Sequence, residues 1–203
     1  MQRLTARAIC LLALTSAAIF NVEAAAPDRW LTLFNGKDLA GWVAPTPNAQ
    51  WRVEKGVLIG ENDEKMTGSM LRTERKFGDF VFETDVRWDG DPDSGVFMRT
   101  PALQVQIGTS ISQKRDLTGS FYLPKLGYPE ALQAKDAAKY LKRGDWKTLR
   151  IEAKGNTFTV SINGHPVSQY TDAQYAEAGP ISVQVHAKLK MKVEFRNMRV
   201  AER

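Results

Sequence analysis

From Ile181 to Val200 the chain alternates between apolar and polar residues. Ile181, Val183, Val185, Ala187, Leu189, Met191, Val193 and Phe195 take one side, and Ser182, Gln184, His186, Lys188, Lys190, Lys192, Glu194 and Arg196 take the other. Successive strand side chains point to opposite faces, so this pattern predicts half-buried β-structure. A change of register near Arg196-Asn197 would let Met198 and Val200 pack as well. The same period recurs upstream. Phe80, Phe82, Thr84, Val86 and Trp88 face one way, and Val81, Glu83, Asp85 and Arg87 the other. Leu103, Val105 and Ile107 turn inward, leaving Gln104 and Gln106 outward. Lys55-Gly56, Lys154-Gly155-Asn156 and Asn163-Gly164 are hairpin signals between such runs. Only the segment 129–142, opened by Pro129, has helical propensity. Short strands separated by turns predict an all-β sandwich or barrel, a single domain over 28–203.

The first residues read differently. Arg3 and Arg7 precede an apolar run from Ala8 to Phe20, and small residues follow at Ala24-Ala25-Ala26. This is the layout of a secretory signal peptide over about residues 1–24, and it predicts a protein exported to the periplasm or secreted. The one cysteine, Cys10, lies within it, so the mature chain would have no disulfide and no thiolate chemistry. The net charge of +5 falls to +4 when Arg3, Arg7 and Glu23 are removed. That modest surplus, with no basic run interleaved with aromatics, gives no case for nucleic acid. No later segment is apolar enough to predict stable membrane insertion. HExxH, GxSxG, P-loop and strand–helix GxGxxG patterns are absent from the sequence, and those enzyme classes lose support.

Three predicted strands each carry polar side chains on one face: Glu83, Asp85 and Arg87; Gln104 and Gln106; Gln184, His186 and Lys188. Arg99 follows "SGVFM". If these strands share one sheet, carboxylate, amide, guanidinium and imidazole groups converge on its outer face. Such groups suit sugar hydroxyls, and the five tryptophans offer stacking surfaces. The plainer reading is the wet face common to antiparallel sheets.

The segments "LFNGKDLAGW", "WRVEKGVLIG", "FGDFVFETDVRW", "DSGVFMR", "LQVQI", "RGDWKTLRIEAKGNTFTVSINGHPV" and "GPISVQVHAKLKMKVEFRNMRV" follow one another along the chain. In this order they resemble the 3-keto-disaccharide hydrolase family, also known as the DUF1080 domain. The resemblance implies a concanavalin A-like jelly-roll sandwich of two antiparallel sheets. It also implies an exported protein acting on 3-keto-glycosides, with a sugar or keto-sugar ligand. Carried over by position, it implies catalytic roles for His186, Asp85 and Arg99, and substrate contacts for Arg87, Gln104, Gln106 and Gln184. His186 would be the base and Arg99 or Arg87 the stabiliser of an enolate. Alternatively, a divalent metal ion held by His186 and Asp85 would polarise the ketone. The chain departs from the family's pattern at Leu103-Gln104, where Tyr-Glu is usual, at Ala187, where Gly is common, and at Gly144-Asp145-Trp146-Lys147 in place of "GEWN". A glutamine is neither a carboxylate base nor an anionic ligand, so a non-catalytic carbohydrate-binding module is the alternative function.

Overall fold

The computed structural model describes residues 29–203. The signal-peptide segment and Cys10 lie outside the described residues. The chain forms β1 (Leu31–Thr32), β2 (Trp42–Val43), β3 (Trp51–Glu54), β4 (Val57–Glu61) and β5 (Ser69–Phe77). It continues with β6 (Phe80–Trp88), β7 (Asp93–Met98), β8 (Leu103–Ser110), β9 (Arg115–Asp116) and β10 (Phe121–Tyr122). The last five strands are β11 (Lys147–Lys154), β12 (Thr157–Ile162), β13 (His165–Thr171), β14 (Gly179–Val185) and β15 (Lys192–Glu202).

These strands make two antiparallel sheets. The first has the order β13-β12-β11-β6-β15-β4-β3, with β1 joined to β15. The second has the order β10-β8-β7-β14-β5-β2, with β9 joined to β8. Alternation puts Phe80, Phe82, Val86, Leu149, Ile151, Phe158, Val160 and Phe195 of the first sheet inward. They meet Leu71, Val96, Met98, Leu103, Val105, Ile107 and Val183 of the second in one continuous core. Three of the five tryptophans, Trp42, Trp51 and Trp88, are buried with them. The hairpin turns fall where the sequence signals them. Lys55 and Gly56 take φ of 50° and 80°, and Asn163 and Gly164 take 50° and 81°, the left-handed pairs of a two-residue hairpin loop.

Two expectations are corrected. The stretch 181–200 is not one strand. β14 ends at Val185 in the second sheet and β15 begins at Lys192 in the first, with Lys188 at φ 67° in the link between them. The link keeps an alternating composition, but a crossover between sheets needs a bend that alternation does not encode. Leu189, set inward by alternation, is accordingly only half-buried. The segment 129–142 holds no α-helix either. It makes two 3-10 turns, Glu130–Leu132 and Ala137–Tyr140, separated by Asp136 at φ 57°. Between them, the Ala134 and Lys135 N–H groups donate to Ser120 Oγ and to Val167 O, so the donors a helix would use are taken by tertiary partners.

Candidate functional site

The polar faces that alternation identified belong to different sheets. Asp85 and Arg87 are on β6 of the first sheet; Gln104, Gln106 and Gln184 are on β8 and β14 of the second. Packed sheets lie about 10 Å apart and their outer faces look away from each other. Asp85 and Arg87 therefore do not converge with the glutamines and His186, and His186 and Asp85 cannot share a metal ion. Among the described residues no group of three or more His, Cys, Asp or Glu side chains gathers to hold one.

On the first sheet, Asp85 accepts from Thr148 Oγ1 at 2.8 Å, Arg196 Nε at 3.2 Å and Asn197 Nδ2 at 2.8 Å. Arg87 donates to Glu194 at 2.6 Å and lies over the Trp146 ring, which Arg196 also faces. Burial pushes the Glu194 carboxyl up, but the Arg87 and Lys192 contacts outweigh it and hold the group below the usual carboxylate range. These groups satisfy one another and brace the β6–β15 ladder.

Arg99 is also placed elsewhere. It is 3% exposed, just past β7. It donates to Ala176 O at 2.9 Å, Asp79 Oδ1 at 3.0 Å and Gly155 O at 3.1 Å. Its guanidinium faces the Phe80 and Phe158 rings. It pins loops at one end of the sandwich. Asp93, at the opposite end of β7, is six residues away, or roughly 20 Å of strand. An enolate-stabilising role beside His186 is thus out of its reach.

The second sheet does bring groups together. Ser182 pairs with Phe97 and Val183 with Val96 across β14 and β7. Continuing that register sets Gln184 beside Gly95, which pairs in turn with Gln106 on β8. The next row runs Gln104, Phe97, Ser182, Arg72. Gly95 has no side chain because there is no room for one: a Cβ there would stand 2.9 Å from Gln104 Nε2 and from Val105 O. Over this bare position Gln104 donates to Gln106 Oε1 at 2.9 Å, and Gln106 donates to Asp93 Oδ1 at 2.8 Å. Tyr128 donates to the same Gln106 oxygen at 2.6 Å and packs on Tyr122. Burial and the nearby Asp93 charge push the Tyr128 hydroxyl well above its ordinary pKa, so it remains a donor. The Asp93 Oδ2 accepts from the Ile111 N–H at 2.8 Å. Gln106, fully buried with both amide atoms engaged, organises this network from within and is not open to a ligand.

Two groups are left with capacity. Gln184 is half-buried, and its Oε1 is buried without a hydrogen-bond partner. Such an acceptor costs stability unless a donor meets it. His186 follows β14 and is half-buried, with Nδ1 2.7 Å from Ala187 O. A carbonyl only accepts, so Nδ1 is the donor here; in the neutral form of the ring Nε2 would carry the lone pair. Extending the β14–β7 register one step beyond Gln184 carries His186 toward Asp93. Phe97 offers a half-buried aromatic face and Arg72 an exposed cation in the neighbouring row. Asp93, Tyr128 and Arg72 were missed in the sequence. Asp93 sits in a turn-rich run, Tyr128 in an irregular one, and Arg72 looks like any exposed strand residue.

Comparison with known proteins identifies the family. The model of the 3-keto-alpha-glucoside-1,2-lyase-like domain matches residues 29–201. The chain belongs to this family. The 3-keto-alpha-glucoside-1,2-lyase-like domain ties the chain to carbohydrate chemistry. Among solved structures, a proposed glycosyl hydrolase from Parabacteroides distasonis superposes with a TM-score of 0.65 at 19% identity, covering 86% of this chain and 94% of that one. The Bacillus licheniformis β-glucanase gives 0.61 at 12% identity, covering 89% and 100%. The carbohydrate-binding module CBM66 of Bacillus subtilis gives 0.57 at 14% identity, covering 80% and 96%. At these identities they establish the concanavalin A-like jelly-roll sandwich, a fold that carries both hydrolases and binding modules. No curated protein sequence matches the chain. Among the described residues no helix is long and apolar enough to cross a membrane.

Proposed function

We propose that the protein is exported and cleaves 3-keto-glycosides on the outer face of the second sheet. A ketone at C3 of a glycoside acidifies the proton on C2. His186 Nε2 takes that proton, and the electron pair passes onto the C3 oxygen as an enolate. The pair then returns to expel the C1 oxygen; the C1–O bond breaks and the leaving group takes the proton from the imidazolium. Water adding to C1 of the resulting enone and a proton returning to C2 complete a net hydrolysis. An imidazole positioned at the proton is a suitable general base for this step. Arg72, an exposed cation on the neighbouring β5, would stabilise the enolate oxygen, and the unpartnered Gln184 oxygen accepts a sugar hydroxyl. The observation that carries the reading is the Nδ1 contact to Ala187 O, which leaves Nε2 as the free base.

Incubation with a 3-keto-glucoside, with and without chelator, tests it. Release of the C1 leaving group is expected, and its absence under every metal condition would overturn the reading. Gln104 favours a second function, a carbohydrate-binding module, because its amide replaces the family's carboxylate and is spent on Gln106. Saturable calorimetric binding of unoxidised glycans without turnover of keto sugars would establish that module.

A further inference from the structure

Lys147 opens β11 on the side that Leu149, Ile151 and Ala153 turn to the core. It is 2% exposed, and its Nζ has no hydrogen-bond partner. The Trp88 ring lies 4.1 Å from Nζ. A ring face attracts an ammonium but does not replace the oxygen acceptors it loses on leaving water. Burial accordingly pushes the Lys147 amine below its ordinary pKa, although Asp145, Asp116 and Asp89 act in the other direction. Two of those carboxylates are engaged elsewhere, Asp145 with Lys142 at 3.3 Å and Asp116 with the Thr118 N–H and hydroxyl.

Lys147 and Trp88 line a cavity of about 390 Å³ between the end of the sandwich and the segments 115–120 and 133–143. That volume is in the range of small-molecule sites, roughly 300–1,000 Å³. Four cationic side chains, Arg115, Lys142, Arg143 and Lys147, border it against two carboxylates, Asp116 and Asp136. Arg115 donates to Gln133 Oε1, Arg143 to Asp91, and Asp136 pairs with Lys139. Lys147 is left as the buried cation with no counter-charge in contact. The Ser120 hydroxyl accepts the Ala134 N–H and retains its own proton to give.

We propose that this cavity binds a small monoanionic hydroxy acid of sugar size, its carboxylate seated on the Lys147 ammonium and its carbon skeleton on Trp88. One buried cation is neutralised by one negative charge. A phosphate dianion would exceed that charge, and both arginines that could grip it are already held. Neither Gln184 nor His186 lines the cavity, and the proposal does not depend on turnover of a keto sugar.

Calorimetry of the mature protein with sodium glucuronate tests it, with glucose and inorganic phosphate as controls. Saturable glucuronate binding is expected, with glucose and phosphate weaker by about tenfold or more. Lys147→Met keeps the apolar stem and removes the charge, and it should weaken glucuronate binding by at least that factor. Pairing with a carboxylate raises a lysine pKa, so wild-type binding should take up protons increasingly as pH rises, read from heats in two buffers. This readout needs no variant. Absence of saturable glucuronate binding, phosphate binding as tight as glucuronate, no proton uptake, or unchanged binding by folded Lys147→Met would each overturn the proposal.

Discussion

His186 and Val185 are neighbours with opposite duties. Val185 is 1% exposed and packs in the core, whereas His186 is half-buried at the end of β14. Replacing His186 with Ala should abolish cleavage and cost about 1 kcal/mol of stability, the worth of the one hydrogen bond its ring makes to Ala187 O. Val185→Ala should cost roughly 2 kcal/mol through the lost methyl groups and the cavity left behind, and should spare cleavage in the folded fraction. Urea denaturation and a rate assay on the two variants separate the roles. At this scale the sequence was partly legible. Alternation told which side of their strands Gln184, Gln104 and Gln106 take. It could not tell that Gln106 is buried beneath Tyr128, because a loop covering an outer face leaves no period in the strand it covers.

The strands were legible as strands, but their sheets were not. Alternation is a property of one strand and its two faces, while membership of a sheet is decided by partners far away in the chain. Asp85 and Gln106 thus look alike in sequence and lie on opposite sides of the sandwich. The break in register of β15 was legible: the β15–β6 ladder shifts between Arg196 and Arg199, with Asn197 at φ 54°. Asn tolerates that conformation and its side chain donates to Asp85 at 2.8 Å. Asn197→Val should cost about 1–2 kcal/mol, because a β-branched residue resists the left-handed region, and Asn197→Gly should cost less. Two rows away, Glu194 is held below its ordinary pKa. A carboxyl depressed in the folded state stabilises above its unfolded value, and that stability is lost as pH falls through the folded value. Wild type should therefore exceed Glu194→Gln by about 1–2 kcal/mol near neutral pH and lose that margin in acid. Urea midpoints of both proteins at about pH 6 and about pH 3 check the sign.

At the scale of the molecule, a two-sheet sandwich presents two outer faces, and among the described residues the unpartnered Gln184 oxygen lies on the second. The first sheet's face is a closed set of ion pairs around Asp85, Glu83 and Glu194, with Trp30 and Trp146 beneath arginines. The second sheet's face holds the Gln104–Gln106–Asp93–Tyr128 network and the unpartnered Gln184 oxygen, and His186 follows directly after β14. The central claim is that this second face removes the C2 proton of a 3-keto-glycoside with His186 as base. The most direct measurement follows a 3-keto-glucoside by NMR in deuterated water with wild type, His186→Ala and Arg87→Lys on the opposite face. The account predicts loss of the C2 proton signal and release of the C1 leaving group with wild type and Arg87→Lys, and neither with His186→Ala. Equal C2 proton loss with His186→Ala, or loss of turnover only with Arg87→Lys, would contradict it.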